Sequence, residues 1–387
     1  MSASSIATAK LGDVADLNPP LTASLSDDEI VSFLPMSAVV AESADAVDRE
    51  TRSYATVKKG YTAFVGGDVL VAKITPCFEN GKIAHAHLTR DFGFGSTEFH
   101  VVRPRAGQLD ARYLVHYLRQ DSIRRQGESR MTGSAGQRRV PEPFVAGLDV
   151  PMLPLVEQRR IAAILDKADA LRAKRRAALT HLDTLTQSIF LDMFGDPRLN
   201  SLAWSVKRLN QLGVVKTGGT PPTSKPGLFG GAVPFVTPAD LAREGFVKRT
   251  VTEEGAAEAA TVRAGASLVC CIGATIGKMG KAEHRSAFNQ QINAVEWSDA
   301  VNDDFGLNVL RFFKPQIAAW GASTTLPILK KSSFEKLEIP IPPISLQSEF
   351  ACRVKVVERL RRTHSASLTQ LDALFASLQH RAFRGEL

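Results

Sequence analysis

The chain of 387 residues carries one long helical pattern twice, and that repetition limits what it can fold into. Between Pro154 and Phe194, the residues Ile161, Ile164, Ala168, Leu171, Ala178, Leu182, Leu185 and Ile189 recur at steps of three and four, the spacing of one seam along a helix, broken only at Arg175. Moving 189 positions on gives Phe350, Arg353, Val357, Leu360, Ser367, Leu371, Leu374 and Leu378, again mostly apolar, with His364 in the place of Arg175. Pro154 and Glu157 suit a first helical turn, and Gly195 followed by Pro197 suits a stop. The second pattern starts at Pro342-Pro343, with Ser345 as the expected N-cap, and fades at Arg384-Gly385. Forty helical residues extend about 60 Å, more than the width of a small domain. The spacing therefore predicts two rods that act as spacers or docking rails.

Composition narrows the setting. A hydrophobic fraction of 44% supports real cores, and the length suits two or three domains. Met1 to Lys10 has no apolar signal core, and no run of eighteen apolar residues occurs, so the expectation is a cytoplasmic protein with no membrane partner. Cys77, Cys270, Cys271 and Cys352 show no metal spacing and are expected to be reduced. Residues 1–100 hold 8 Lys/Arg against 13 Asp/Glu, whereas residues 101–140 hold 9 against 3. That basic block (Arg119, Arg124, Arg125, Arg130, Arg138 and Arg139) is interleaved with Gly133-Ser134-Ala135-Gly136, a combination of cations and pliant backbone that suits phosphate.

Residues 1–150 and about 201–340 share an order of features, which makes the rod half of a larger repeat. Leu11-Gly12-Asp13-Val14 corresponds to Leu209-Asn210-Gln211-Leu212, and Phe33-Leu34-Pro35-Met36 to Phe235-Val236-Thr237-Pro238. A glycine-entered strand follows in each half, then Gly81-Lys82 or Gly277-Lys278, then Ser96-Thr97 or Asn289-Gln290-Gln291. A short helix near Tyr113 to Arg119, or Leu307 to Phe313, closes each half. Two equivalent helices pair most symmetrically when antiparallel. Arg175 and His364 would then meet near a pseudo-twofold axis, either fixing register or snorkelling to solvent.

Motifs for chemistry are missing. Asn18-Pro19-Pro20-Leu21 lacks the aromatic platform on which base-modifying methyltransferases stack a flipped base. Gly273 to Lys278 is one residue short of a phosphate loop and has Met279 where Ser or Thr would hold magnesium. His85, His87 and His100 have no carboxylate at metal spacing, and no GxSxG or HExxH run occurs. The expectation is no catalytic residue, no metal and no cofactor bound by this chain.

Gly67-Asp68-Val69-Leu70 leads to Thr75-Pro76-Cys77-Phe78-Glu79-Asn80-Gly81-Lys82, and Gly95-Ser96-Thr97-Glu98-Phe99, Gly136-Gln137-Arg138-Arg139-Val140-Pro141 and Pro154-Leu155-Val156-Glu157-Gln158-Arg159-Arg160-Ile161 follow in order. In combination these stretches resemble the specificity subunit of type I restriction-modification systems. Thr217-Gly218-Gly219-Thr220-Pro221 with Val233-Pro234-Phe235 is similar to the family's second reading domain.

The resemblance implies an α+β fold: two similar α/β target recognition domains separated by two conserved helices that pair as an antiparallel coiled coil. The expected divisions are 1–152, 153–196, 197–341 and 342–387. It implies a non-catalytic subunit that reads a bipartite site on double-stranded DNA within a heteromeric complex. The implied partners are two copies of an adenine-N6 DNA methyltransferase subunit, which carries S-adenosylmethionine, and a translocating restriction endonuclease subunit. The alternatives are a coiled-coil scaffold without DNA specificity and an autonomous DNA methyltransferase. Ser345-Leu346-Gln347-Ser348-Glu349 departs from the family's usual helix opening.

Glycine amides reach phosphate, Arg reads guanine, and Asn or Gln reads adenine. The expected DNA-binding residues are therefore Lys73, Thr75, Lys82, Ser96, Thr97, Arg124, Arg130, Gln137, Arg138 and Arg139 in the first domain. In the second they are Thr217, Gly218, Gly219, Thr220, Lys278, Asn289, Gln290, Gln291, Lys330 and Lys331. Helix pairing and partner docking are assigned to Ile161, Ile164, Leu171, Leu182, Leu185, Ile189, Phe350, Val357, Leu360, Leu371, Leu374 and Leu378.

Overall fold

The apolar periodicity resolves into two continuous helices, a central one over Leu155–Phe194 and a C-terminal one over Ile344–Ala382. The structure, a computed structural model, describes residues 6–134, 136–242, 247–321 and 327–387. Two compact units result: residues 1–178 with 364–387, and residues 179–363. Each unit holds one sheet-rich domain and half of each long helix.

In the first unit, a five-stranded sheet has the order Ala15–Leu17, Phe99–Pro104, Val69–Ala72, Ile83–His87, Asp45–Val47. A four-stranded sheet has the order Glu50–Ser53, Ile30–Leu34, Phe92–Gly95, Thr62–Val65, with Ile30–Leu34 and Phe92–Gly95 parallel. A two-stranded ribbon pairs Thr8–Lys10 with Asp149–Pro151. Strand Val69–Ala72 is buried along its whole length, which is why it reads as an unbroken apolar run rather than an alternating one.

The second unit repeats this plan. Its sheets have the orders Gly213–Thr217, Ile292–Trp297, Ser267–Cys270, Met279–Lys281 and Thr250–Val251, Phe229–Val236, Ser286–Phe288, Thr261–Val262. The parallel pair recurs between Phe229–Val236 and Ser286–Phe288, and the ribbon recurs as Ser205–Arg208 with Glu338–Ile341. Among the described residues, the second unit has no counterpart of the edge strand Asp45–Val47.

Each domain is fastened to the start of a long helix by one glutamine. Gln158 is fully buried; its Oε1 accepts from the Asp110 amide at 2.8 Å, and its Nε2 donates to the Gln108 and Leu153 carbonyls at 3.0 and 2.8 Å. Gln347, equally buried, accepts from the Asn302 amide at 2.8 Å and donates to Ala300 and Pro342 at 3.2 and 2.9 Å. Asp110 and Asn302 are themselves the N-caps of helices Ala111–Leu118 and Asp303–Phe312. One side chain thus registers two helices at once.

The far ends of the rods dock through aromatic rings. In the first unit Phe383, just beyond the C-terminal helix, packs on Tyr113 and Tyr117 with ring centroids 5.0 and 5.4 Å away. In the second unit Phe194, at the end of the central helix, meets Phe305 at 5.1 Å and Phe350 at 5.5 Å. Gly195 ends the central helix with φ of 70°, and its N–H donates to the Leu191 carbonyl, as expected from the sequence. Ser345 does not cap the second helix. Helical geometry already starts at Ile344, and the Leu346 and Gln347 amides donate to the Pro343 carbonyl, which leaves Ser345 inside the first turn.

Within each unit the two long helices run antiparallel. In the first, Arg172 Nε donates to Asp372 at 2.6 Å, Arg175 Nη1 donates to His364 Nδ1 at 2.6 Å, and Arg160 reaches the Leu387 carbonyl. In the second, Arg361 pairs with Asp183 at 3.2 Å, and Phe190 packs edge-on against Phe350. The meeting of the two polar seam residues favours the register reading over snorkelling.

Replacing Gln158 or Gln347 with Leu strands one buried amide and two buried carbonyls, each worth about 1–3 kcal/mol when unpaired. Gln158→Leu should destabilise the first unit and Gln347→Leu the second, each by roughly 3 kcal/mol in urea unfolding. A change below about 0.5 kcal/mol, the range of ordinary surface substitutions, would show the clamp to be dispensable.

Candidate nucleic-acid interface

Backbone hydrogen bonds draw three loops of the first unit into one junction. The Lys73 amide donates to Glu98 O at 2.9 Å, Val140 N to Lys73 O at 2.8 Å, and Thr75 N to Arg138 O at 2.9 Å. Ile74 and Arg139 form an isolated β-bridge. These bonds bring together the loop after strand Val69–Ala72, the turn at Ser96-Thr97 and the glycine-rich loop ending at Arg139.

The second unit builds the same junction from different side chains. Cys271 N donates to Gln291 O at 2.7 Å, Leu329 N donates to Cys271 O at 2.8 Å, and Ile272 bridges Ile328. Gly218 N and Gly219 N donate to Ile292 O and Phe288 O, which adds the Thr217 to Thr220 loop. A Cβ on Gly218 would lie 2.1 Å from the Asn289 carbonyl oxygen, so this glycine is required by close backbone approach.

Side-chain geometry separates the expected residues into committed and available groups. Lys82 Nζ donates to Met36 O at 3.2 Å, and Lys278 Nζ donates to Pro238 O at 2.5 Å, so these two equivalent lysines brace one sheet to the other in each domain. Arg124 is held by the Glu79 carbonyl and by Asp121. Thr75 Oγ1 donates to Glu79 at 2.9 Å, and Ser96 Oγ accepts the Glu98 amide. Arg139 grips Glu98 at 2.8 and 3.0 Å, while Arg138 stands 3.8 Å from Glu79. The Arg139 hydrogen bond, with the positive charges of Arg139 and Lys73, holds the Glu98 carboxyl below its usual range despite partial burial.

In the second unit, Thr217 donates to Asn293 at 2.8 Å, Thr220 to Gln290 at 2.5 Å, and Asn289 to Gln291 at 3.0 Å. Lys331 pairs loosely with Glu335 at 3.6 Å. Thr97, Arg130, Gln137 and Lys330 are exposed, and so is Arg125 beside them; Lys73 is half-buried. Arg119, although part of the basic block, is mostly buried against the Ala41 carbonyl, and that burial pulls its pKa down. Ala135 lies outside the described residues. The carboxylates Glu79 and Glu98 were not singled out from the sequence as arginine partners, because nothing in their spacing announces a contact with Arg138 or Arg139.

The helical residues divide as well. Ile161, Phe350 and Val357 are buried, and Ile164, Leu182, Ile189, Leu371 and Leu378 are half-buried. Leu171, Leu185, Leu360 and Leu374 are instead 53%, 41%, 43% and 50% exposed. A strict 3.5-residue repeat drifts around a 3.6-residue helix, and the packing follows the helix. Leu165, Phe190, Phe194, Val354 and Phe375 therefore take buried places that the stripe did not include.

Sequence spacing gave the histidines no carboxylate partner, but folding supplies one to two of them: Asp45 of the edge strand stands beside His85 and His87. His100 is separate and buried, with its Nε2 on the Val140 carbonyl. Asn18 lies in a turn with φ of 47°, its Nδ2 donating to Glu142 at 2.6 Å and its Oδ1 accepting the Val101 amide. Among the described residues, no helix is long and apolar enough to cross a membrane.

Two related α/β domains, each with a three-loop junction and joined to paired long helices, define a duplicated two-domain architecture. Residues 202–372 match the family model described as the type I restriction modification DNA specificity domain. The chain is 34% identical over 206 residues to the Escherichia coli "Type I restriction enzyme EcoEI specificity subunit", an alignment covering 52% of this chain and 34% of that protein. The chain thus spans about a third of the length of that curated relative. The structure described as the type I restriction-modification system S subunit from M. genitalium matches with a TM-score of 0.63 at 13% identity, covering 99% of this chain and 98% of that one. A second, from work on "complex assembly" and "conformational transition of the type I R-M system", matches with a TM-score of 0.57 at 20% identity over 99% of both chains. At those identities the structural likeness is one of fold. Over these lengths the chain is similar to type I restriction-modification specificity subunits.

The committed lysines yield a test that separates bracing from phosphate contact. Lys82→Met and Lys278→Met should each cost about 1 kcal/mol of stability, a fall of roughly 2–4 °C in Tm for a unit of this size. The salt dependence of DNA binding should stay unchanged. A slope reduced by about one for each substitution would return these lysines to the phosphate-binding set.

Proposed function

We propose that this chain is the DNA-reading subunit of a type I restriction-modification complex, with each unit reading one half of a bipartite site on double-stranded DNA. The observation that carries this reading is the junction built twice on one set of backbone hydrogen bonds with different side chains at its rim. A common frame with unlike rims suits two half-sites of unlike sequence. Exposed Arg125, Arg130 and Lys330 contribute phosphate contacts, Gln137 and Gln290 supply amides for base edges, and Gly218-Gly219 brings backbone close.

Catalysis belongs to the partners in this reading. Two adenine-N6 methyltransferase subunits supply S-adenosylmethionine and the reacting site, and a restriction subunit joins them. The exposed leucines of the long helices, Leu171 with Leu360 and Leu185 with Leu374, occupy equivalent places in the repeat and form the docking positions.

Removing two exposed phosphate contacts with Arg125→Ala and Arg130→Ala should lower the slope of log affinity against log salt by roughly two, with little change in stability. An unchanged slope and affinity would take this surface out of the DNA interface. Absence of salt-sensitive DNA binding by the wild-type chain would favour the coiled-coil scaffold.

Docking has its own measurement. Leu171→Glu with Leu360→Glu changes side chains that are already half in solvent, so unfolding should shift by no more than about 0.5 kcal/mol for each. Co-purification with the methyltransferase subunit should nonetheless be lost. Full recovery of the complex would move the docking surface elsewhere.

A further inference from the structure

The extra edge strand of the first unit creates a cluster that DNA reading does not use. Asp45–Val47 runs parallel to Ile83–His87, with Asp45 opposite His85 and Val47 opposite His87. Two-residue alternation puts His85 and His87 on one face of their strand, while Ala84 and Ala86 turn into the core. His87 Nε2 lies 3.1 Å from His85 Nδ1 and 2.7 Å from Asp45 Oδ1, so donor atoms of three residues converge on one point.

We propose that Asp45, His85 and His87 bind one divalent transition-metal ion of the zinc class. Imidazole nitrogen and carboxylate oxygen bind zinc at about 2.0–2.2 Å, which places tetrahedral donors roughly 3.3 Å apart. The observed spacings of 3.1 and 2.7 Å need about 0.2 and 0.6 Å of expansion. His87 is exposed, which leaves an entry path and room for water as a further ligand.

Arg112 is the competing cation, because its guanidinium also pairs with Asp45. The same guanidinium is gripped by Asp166 of the central helix, with Nε to Oδ2 at 3.2 Å and a second bond from Nη2. Arg112 can therefore yield one Asp45 oxygen to a metal and keep its own partner. Among its described residues, the second unit lacks the site. Lys281 occupies the strand position equivalent to His85, pairing opposite Ser267 as His85 pairs opposite Val69, and its ammonium is bound to Asp304. One ion per chain follows.

The test is a titration of the chelator-treated full chain with zinc chloride against a chromogenic zinc chelator. One equivalent should bind to the wild type. Loss of an outer-shell partner typically weakens a metal site 10–100-fold, so His87→Ala and Asp45→Asn should each weaken binding by at least about 10-fold. Cys352→Ser, which removes the exposed thiol, should bind like the wild type. Circular dichroism of His87→Ala should match the wild type, since that side chain is solvent-facing. Cobalt substitution should give visible d–d bands without thiolate charge transfer. No retained equivalent in the wild type, equal affinity in His87→Ala, or a thiolate band would overturn the proposal.

Discussion

Everything in the architecture passes through two buried glutamines. A neutral amide with one acceptor and two donors can satisfy a helix-start amide and two loop carbonyls together, which neither a carboxylate nor an ammonium group can do. At Gln158 and Gln347 all three bonds are made in the same pattern, to Asp110, Gln108 and Leu153 or to Asn302, Ala300 and Pro342. Each long helix therefore leaves its domain in a fixed direction. The aromatic contacts at the other ends, Phe383 on Tyr113 and Phe194 on Phe305, bury area without dictating register so strictly.

Charges around this shared frame are free to change sign. In the first unit Arg112, on the helix capped by Asp110, pairs with Asp166 of the central helix. Burial alone would raise the Asp166 carboxyl, but hydrogen bonds from His116 and Arg112 overcome it and hold the group at about 2. In the second unit the corresponding position on the helix capped by Asn302 is Asp304, paired with Lys281, while Glu358 of the C-terminal helix is pushed up by burial. Polar pairs of opposite polarity thus serve equivalent places. The apolar packing and the amide clamps must carry the common geometry, because the electrostatics do not.

That division explains what could be read in advance. The long helices were legible because each is a local pattern of apolar steps, bounded by Pro154 and Gly195 or by Pro343 and Gly385. The repeat was legible because short landmarks such as Leu11 to Val14 and Leu209 to Leu212 fold alike, each into one helical turn. Which leucines face inward was not, since Leu171 and Leu165 are equally apolar and only the packing separates 53% exposure from none. Nor were the uses of Lys82 and Lys278. A lysine beside a glycine turn looks the same whether its amine meets a phosphate or the carbonyl of Met36 or Pro238. Asp45 carries no local signal for a related reason: 40 residues separate it from His85, and only sheet pairing brings them together.

The loop junctions pair one backbone scaffold with two different rims. Its backbone ladder ties Lys73 to Glu98 and Val140 in one unit and Cys271 to Gln291 and Leu329 in the other, and none of those bonds depends on side-chain identity. Side chains at the rim take no part in that ladder. Gln137, Thr97 and Arg130 stand exposed in the first unit, and Gln290, Thr220 and Lys330 in the second. Under the proposed reading, a change of half-site would need new rim residues and no new fold. The constrained positions are those where backbone meets backbone, such as Gly218 against the Asn289 carbonyl, and there even one added methyl group would force the loops apart.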